Sequence, residues 1–291
     1  MRAEAVLLLG AALWGLGWMP LAHFAGLGLA GMPMVLYTFG LLSLPTLAVL
    51  YRQRRAWWPQ RSALLGIVLC GGWATAGLVG ALSEGDVVRS MLLFYLAPAW
   101  GLLGGWLLLG ERLDAVRIGA LLLALVGIAL TLGVNRNTFA ALTASDWLAL
   151  SAGFAFALNN LATRAAEQVP LASKAMAAFI GSAACAALFC LLDGTALPSA
   201  DAGTWLQIAA FGLFWLAAMG AAQYGFSHVE ASRAAVLVVI ELLVSVLTAA
   251  AFGERELGVG EWLGGALVLA AALIAARPPR DSFPSASEVS P

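Results

Sequence analysis

The sequence contains little charge: Asp, Glu, Lys and Arg make up 11% of its 291 residues, whereas hydrophobic residues make up 62%. Soluble domains carry roughly a quarter charged residues, and a soluble chain of this length needs far more polar surface to cover its core. The mean hydropathy is +0.91. This scarcity of charge predicts an integral membrane protein, and the net charge of -1 offers no surface for nucleic acid.

Cysteine and histidine are also scarce: the sequence has three cysteines and two histidines. Cys70, Cys185 and Cys190 lie within apolar runs, which indicates helix packing rather than disulfides or a metal site. His23 and His228 are too few for a structured metal site. The chain has neither an H-E-x-x-H motif nor a Gly-rich loop with a Lys for ATP. We therefore expect no metal, no cofactor and no enzyme, with a membrane-embedded hydrolase as the remote alternative.

Long runs without charge predict ten transmembrane helices, because a helix needs about 20 mostly apolar residues to cross the hydrocarbon core. Residues 5–51 are long enough for two helices, separated in the Gly-rich segment 23–33, where glycine and proline end helices. The other predicted spans are 62–82, 90–109, 117–134, 147–164, 174–192, 203–225, 233–252 and 260–276. The C-terminal segment 277–291, rich in Ser and Pro, predicts a disordered cytoplasmic tail.

Basic residues indicate the orientation, since they concentrate in cytoplasmic loops. With ten spans and both termini in the cytoplasm, the opposite side receives only Arg89, Arg136 and Arg255. The cytoplasmic side receives the other twelve basic residues: Arg2, Arg52, Arg54, Arg55, Arg61, Arg112, Arg117, Arg164, Lys174, Arg233, Arg277 and Arg280. This asymmetry favours a multi-pass topology with both termini cytoplasmic.

The triplet Gly-Glu-Arg occurs at 110–112 and again at 253–255, after the fourth and ninth predicted spans. Arg89-Ser90 precedes the fourth span and Ser232-Arg233 precedes the ninth. Because a repeat unit of five spans has an odd number of crossings, its second copy enters the membrane from the side opposite to the first. The sequence therefore predicts two inverted repeats, 1–134 and 146–276, as in secondary transporters that expose a central site to each side in turn.

Each triplet is interpreted as a helix end, with the glycine as a C-terminal cap and the charges at the membrane surface. A further hypothesis is that Glu111–Arg112 and Glu254–Arg255 form ion pairs that close a gate.

These features resemble the drug/metabolite transporter superfamily over residues 1–276: five plus five spans, Trp14-Gly15 in the first helix, and a Gly-Glu-Arg triplet after the fourth and ninth. Within it, the chain is most similar to bacterial inner-membrane exporters of aromatic amino acids. The resemblance implies an all-α membrane fold, with ten transmembrane helices as two inverted five-helix repeats around a central cavity. It also implies export of amino acids and related small metabolites. Glu241-Leu242 replaces Ala97-Pro98 in the second half, so a proline kink is expected in the first half only.

Glu241 is the only acidic residue well inside a predicted span. A carboxylate at the bilayer centre costs about 2.5–3.5 kcal/mol and usually faces a cavity or a partner. Ser245 and Thr248 follow it on the same helical face. One hypothesis makes Glu241 a partner for a substrate amine or a protonatable coupling site, and the equally weighted alternative is a structural glutamate bonded to a neighbouring helix.

Asn159 and Asn160 lie midway through the sixth span, where an amide suits a zwitterionic substrate or an interhelical hydrogen bond. Other candidates for substrate binding are deep aromatic or amide residues, with packing or lipid contact as the alternative. They are Trp18, Tyr37, Trp73, Tyr95, Trp215, Gln223 and Tyr224.

The near absence of basic residues within the spans disfavours phosphate-rich substrates and favours neutral, zwitterionic or weakly cationic ones. Two alternatives keep the same fold, namely a passive facilitator and a multidrug or cation exporter. The expected partners are a small-molecule substrate and the lipid bilayer, and a monomer is compatible with this function.

Overall fold

The structure is a computed structural model that describes residues 2–134, 141–252 and 257–276. The second Gly-Glu-Arg triplet at 253–255, Arg136 and the predicted tail 277–291 lie outside these residues. Within the described ranges every regular element is a helix. The predicted all-α class is therefore confirmed.

The predicted first half folds into eight α-helices and one 3₁₀ turn, and two of its spans are each divided into a pair of helices. Its helices are α1 (Arg2–Leu16), α2 (Trp18–Gly26), α3 (Gly31–Arg52), α4 (Arg54–Trp57), α5 (Arg61–Glu84), α6 (Val87–Phe94), α7 (Ala97–Leu109) and α8 (Ala115–Thr131). The gap between α2 and α3 falls within the predicted Gly-rich break. The interruption at Gly17 was not predicted.

The second half contains six helices in its described part, and again one predicted span is divided into two. They are α9 (Ala144–Ala165), α10 (Leu171–Leu192), α11 (Ala202–His228), α12 (Ala231–Leu237), α13 (Ile240–Phe252) and α14 (Val259–Ala275).

Acidic and hydroxyl side chains cap several helices at their first turns, as expected for orphan backbone N–H groups. Asp86 accepts from Arg89 N at 2.8 Å, and Asp114 accepts from Arg117 N at 2.7 Å. Asp201 accepts from the Thr204 backbone N–H at 2.7 Å. This hydrogen bond holds the pKa of the Asp201 carboxyl below its ordinary value, because it favours the ionised form.

In the described part of the chain, six helical stretches are long and apolar enough to cross a membrane. They are Ala3–Gly26, Arg54–Glu84, Val87–Leu109, Leu171–Leu192, Ala202–His228 and Ala231–Phe252. The two parts of α3, Gly31–Ser43 and Pro45–Arg52, bend by 47° and together make a seventh candidate. The apolar helices α8 and α14 are shorter, with 17 residues each. The chain is thus a multi-pass membrane protein, and the count of ten spans stays a prediction.

Helices of the two halves interlock rather than stand apart. From the second half, α9 packs against α5, α6 and α7, and from the first half, α1 packs against α11, α12 and α13. In addition, α3 pairs with α10 and α8 pairs with α14. The packing of α9 on α5, α6 and α7 thus matches that of α1 on α11, α12 and α13. Such matching contacts are expected of a two-repeat fold.

Candidate functional site: a cavity between two interrupted helices

Two of the three divided spans, one in each half, are interrupted at matching places. Between α6 and α7, Leu96 N bonds Leu93 O at 3.3 Å. Between α12 and α13, Val239 N bonds Val236 O at 3.3 Å and Glu241 N bonds Val238 O at 3.1 Å. Such i,i+3 bonds replace α-helical ones with a tighter 3₁₀ turn.

A proline kink was expected in the first half only, and the interruption in the second half was not predicted. Pro98 lacks a backbone N–H and accounts for the first interruption. The second interruption occurs without proline, in a run that contains Val236, Val238, Val239 and Ile240. These β-branched side chains have restricted χ1 angles and lower helix propensity, so the helix is locally weak at that point.

Both interruptions line one cavity, together with the middle of α9. It has about 10 Å³ of room for the centre of a water-sized sphere, which is enough for roughly one water molecule. Its lining residues are Phe94, Tyr95, Ala97, Pro98, Gly101, Phe156, Ala157, Asn160, Leu161, Ala231, Ala235, Val238, Val239 and Glu241. In this conformation the cavity is too small for a metabolite, so binding one requires the walls to separate.

The polar groups of the cavity come from all three segments. Tyr95 donates its hydroxyl hydrogen to Glu241 Oε1 at 3.0 Å, which connects the two interruptions directly. On α9, Asn159 Nδ2 donates to Asn160 Oδ1 at 3.1 Å. Glu241 is the only charged side chain among the cavity-lining residues that the structure describes. The site is therefore able to pair with a cation or to exchange a proton.

Two glycines allow the helices to approach the interruptions closely. A Cβ on Gly15 of α1 would lie 2.5 Å from the backbone O of Glu241. A Cβ on Gly153 of α9 would collide with the backbone of Phe94, with its Cα at 3.0 Å. Each half thus sets a glycine of its first helix against the interrupted helix of the other half.

The structure brings three of the ten predicted site residues, Tyr95, Asn160 and Glu241, into this cavity. Asn159 is their immediate neighbour. The other six, on α2, α3, α5 and α11, lie outside the cavity.

Trp18, Tyr37 and Trp73 each bond to another helix or loop. Trp18 Nε1 donates to Thr248 Oγ1 on α13 at 2.9 Å, and thus links the first span to the helix that carries Glu241. The Tyr37 hydroxyl donates to Pro198 O at 2.7 Å. Trp73 Nε1 donates to Ser151 Oγ at 3.1 Å, although its side chain is 38% exposed.

Trp215, Gln223 and Tyr224 all lie on α11. Trp215 belongs to a buried aromatic cluster and meets Trp14 edge-on, with ring centroids 4.7 Å apart. Gln223 is fully buried and accepts a hydrogen bond from Thr163 Oγ1 at 2.8 Å. The Tyr224 ring stacks on His228 at 4.2 Å. None of these three lines the cavity described above.

Two ion pairs at matching places in the two halves were not predicted. Arg89 of α6 pairs with Asp146 of α9, and Arg233 of α12 pairs with Glu4 of α1 at 3.0 Å. Each arginine lies three residues after an acidic helix-preceding residue, Asp86 or Glu230. The Arg89-Ser90 and Ser232-Arg233 pairs were visible in the sequence, but they do not reveal the acidic partner of either arginine.

Replacing Arg233 with Ala is expected to destabilise the protein by about 3 kcal/mol, the low end for losing one partner of a largely buried ion pair. Besides Glu4, Arg233 also donates to the carbonyl oxygens of Ala275 and Ala276. Thermal unfolding in detergent measures the effect. Arg61→Ala is the matched control, because Arg61 is exposed and lies over the Trp58 ring at 5.2 Å, a contact worth about 0.5–1 kcal/mol at an exposed site. Equal shifts for the two variants would contradict the assignment.

An all-α chain with several membrane-crossing helices, two similar halves and an internal polar cavity has the architecture of a membrane transporter. A sequence model of the EamA-like transporter family matches the chain twice, over residues 1–133 and 143–277. The chain belongs to this family, which lies within the drug/metabolite transporter superfamily. The predicted resemblance to that superfamily is confirmed, and membership points to a transporter rather than an enzyme.

One relative is described as an uncharacterized transporter of Archaeoglobus fulgidus (strain ATCC 49558 / DSM 4304 / JCM 9628 / NBRC 100126 / VC-16). It is 28% identical over 222 residues, which cover 75% of this chain and 77% of the relative. A protein of known crystal structure superimposes with a TM-score of 0.75 at 20% identity, over 95% of this chain and 98% of that one. This similarity supports the fold alone.

Proposed function

We propose that the protein is a secondary transporter that exports neutral amino acids, aromatic ones included, and related amine-bearing metabolites by alternating access. Its place is the bacterial inner membrane, with both termini in the cytoplasm. The observation that carries the proposal is the Tyr95–Glu241 hydrogen bond across a cavity bounded by both halves.

The cavity chemistry supports a substrate with a protonated amine. Glu241 supplies one negative charge, and none of the described residues that line the cavity is a Lys or Arg that could neutralise it. The aromatic rings of Phe94, Tyr95 and Phe156 offer apolar and cation-binding faces. The side-chain amide of Asn160 can donate to a substrate carboxylate, so a zwitterion finds a partner for each end.

Glu241 is also the proposed coupling residue. A carboxylate that binds either a proton or a substrate amine links the movement of one to the movement of the other. Its bond from Tyr95 belongs to the state without substrate, because a substrate amine competes for the same oxygen.

The same lone carboxylate favours a second candidate, an exporter of weakly cationic drugs. Such a substrate needs the charge of Glu241 and the aromatic faces, but not Asn160. We favour amino acids as substrates because the side-chain amide of Asn160, which can donate to a carboxylate, lies in the same cavity.

Flux measurements in proteoliposomes test both candidates. We expect labelled Phe, Trp, Thr or Met to cross faster than in empty vesicles, and an imposed pH gradient to change the rate. A cationic dye forms the second arm. Flux of the dye alone would assign the protein to cation export, and flux of amino acids that ignores the pH gradient would assign it to passive facilitation. No flux of any of these compounds would contradict the proposed substrate class.

A further inference from the structure

We propose that Glu111 is a gate residue, which closes one end of the transport cavity by holding α7 of the first half to α12 of the second. The inference rests on the proposed alternating access, because a gate has meaning only if that end also opens.

The carboxylate of Glu111 reaches the N-terminus of α12. Oε1 accepts from Ala231 N at 2.6 Å, and Oε2 accepts from Ser232 N at 3.0 Å and from Ser232 Oγ at 2.6 Å. Hydrogen bonds to a carboxylate are stronger than neutral ones, and a helix N-terminus favours negative charge. Glu230, which precedes α12, makes no side-chain cap of its own. The first half therefore provides the cap for a helix of the second half.

The chain around Glu111 directs its side chain back onto this end of the bundle. Gly110 ends α7 with φ at 67°, a left-handed conformation that favours glycine. Glu111 N then bonds the carbonyl oxygen of Gly105 at 2.9 Å. A Cβ on Gly105 would lie only 2.7 Å from Glu111 Oε2. The predicted role of Gly110 as a helix cap is confirmed, and the turn positions the carboxylate as well.

The contact lies directly at the cavity. Ala231, whose N–H is bound by Glu111, also lines the cavity, as do Gly101 and Ala235. α7 and α12 pack so closely that a Cβ on Gly101 would be 2.8 Å from the Cβ of Ala235. Their counterparts at the other end, α13 and α6, make no comparable contact among the described residues. The protein is thus closed at the Glu111 end.

Arg117 of α8 reinforces the same closure. Its Nη1 donates to Ser232 Oγ at 2.9 Å, and its Nη2 pairs with Glu230 at 2.7 Å. Opening this end separates both side chains from α12, and entering water then solvates the freed charges. The sequence suggested an ion pair between Glu111 and Arg112, but the Glu111 carboxylate instead caps α12. The Arg112 residue is exposed.

Side-specific thiol labelling tests the gate without any substrate. Ala157 lines the cavity and is 2% exposed, so Ala157→Cys places a small reporter there. The three native cysteines, Cys70, Cys185 and Cys190, are first replaced by Ala. A membrane-impermeant maleimide is then added from either side of the full-length protein in oriented vesicles.

Glu111→Ala is expected to raise labelling from the Glu111 end about fivefold or more relative to labelling from the other end, in the range typical of coupled equilibria. Glu111→Gln, which keeps one acceptor oxygen, is expected to have a smaller effect in the same direction. Arg112→Ala is the matched control, with an unchanged ratio. A merely structural role for Glu111 predicts equal increases from both ends.

An unchanged ratio in Glu111→Ala, with the protein still monodisperse, would overturn the gate, and so would an equal effect of Arg112→Ala. The outcome is separable from that of the flux experiment. Side-specific labelling without flux supports the gate and rejects the proposed substrates, whereas flux with an unchanged labelling ratio rejects the gate alone.

Discussion

Glu241→Gln is expected to lower flux of the transported compound at least about tenfold and to abolish its response to a pH gradient. The loss of a hydrogen bond or ion pair to a charged group costs about 1.5–3 kcal/mol, and each 1.4 kcal/mol is about a factor of ten in affinity. Glutamine still accepts the bond from Tyr95, because its Oε1 replaces the carboxylate oxygen of Glu241. The variant therefore removes the charge and the proton-binding group while the cavity stays intact.

Two further variants separate these effects. Tyr95→Phe removes the 3.0 Å bond but leaves the charge, so we expect a smaller loss of flux and a retained pH response. Glu167→Gln changes a glutamate whose side chain is 72% exposed, and we expect flux at the level of the unmodified protein. If Glu241→Gln kept both its flux and its pH response, the coupling role would be withdrawn.

Hydropathy predicted the helices well, because a chain in lipid satisfies its backbone groups only within helices. It did not predict where they are interrupted. The breaks at Gly17 and at Val238 occur in runs that read as continuous apolar spans. Local sequence makes a break possible there, but packing against helices distant in the sequence selects it.

Glu241 could be identified as a candidate from the sequence, because a charged side chain near the bilayer centre costs free energy whichever way it faces. The direction in which Trp18 or Trp215 faces could not be predicted. A helix that is apolar on all sides gives no signal of which face meets the cavity. Arg89 and Asp146 were visible as charges at span ends, but their pairing joins two halves of the chain. Such a contact follows from the interlocked packing and not from any local pattern.

Gly15→Ala is expected to lower the midpoint of thermal unfolding in detergent, with a cost of about 1–3 kcal/mol for the overpacked contact. The added methyl carbon would lie 2.5 Å from Glu241 O and 2.8 Å from Val244 Cβ. A backbone oxygen cannot rotate away as a flexible side chain can, so α1 and α13 have to separate.

Gly220→Ala on α11 is the matched control, because a Cβ there meets nothing within 4 Å. Alanine is the better helix former by about 1 kcal/mol, so this variant is expected to be neutral or slightly stabilised. Equal midpoints for the two variants would contradict the close approach of α1 to α13. Gly15→Ala also shifts the backbone that carries Glu241, so flux is expected to fall together with stability. The Trp14-Gly15 pair would then matter to transport because it sets how near the first span comes to the carboxylate.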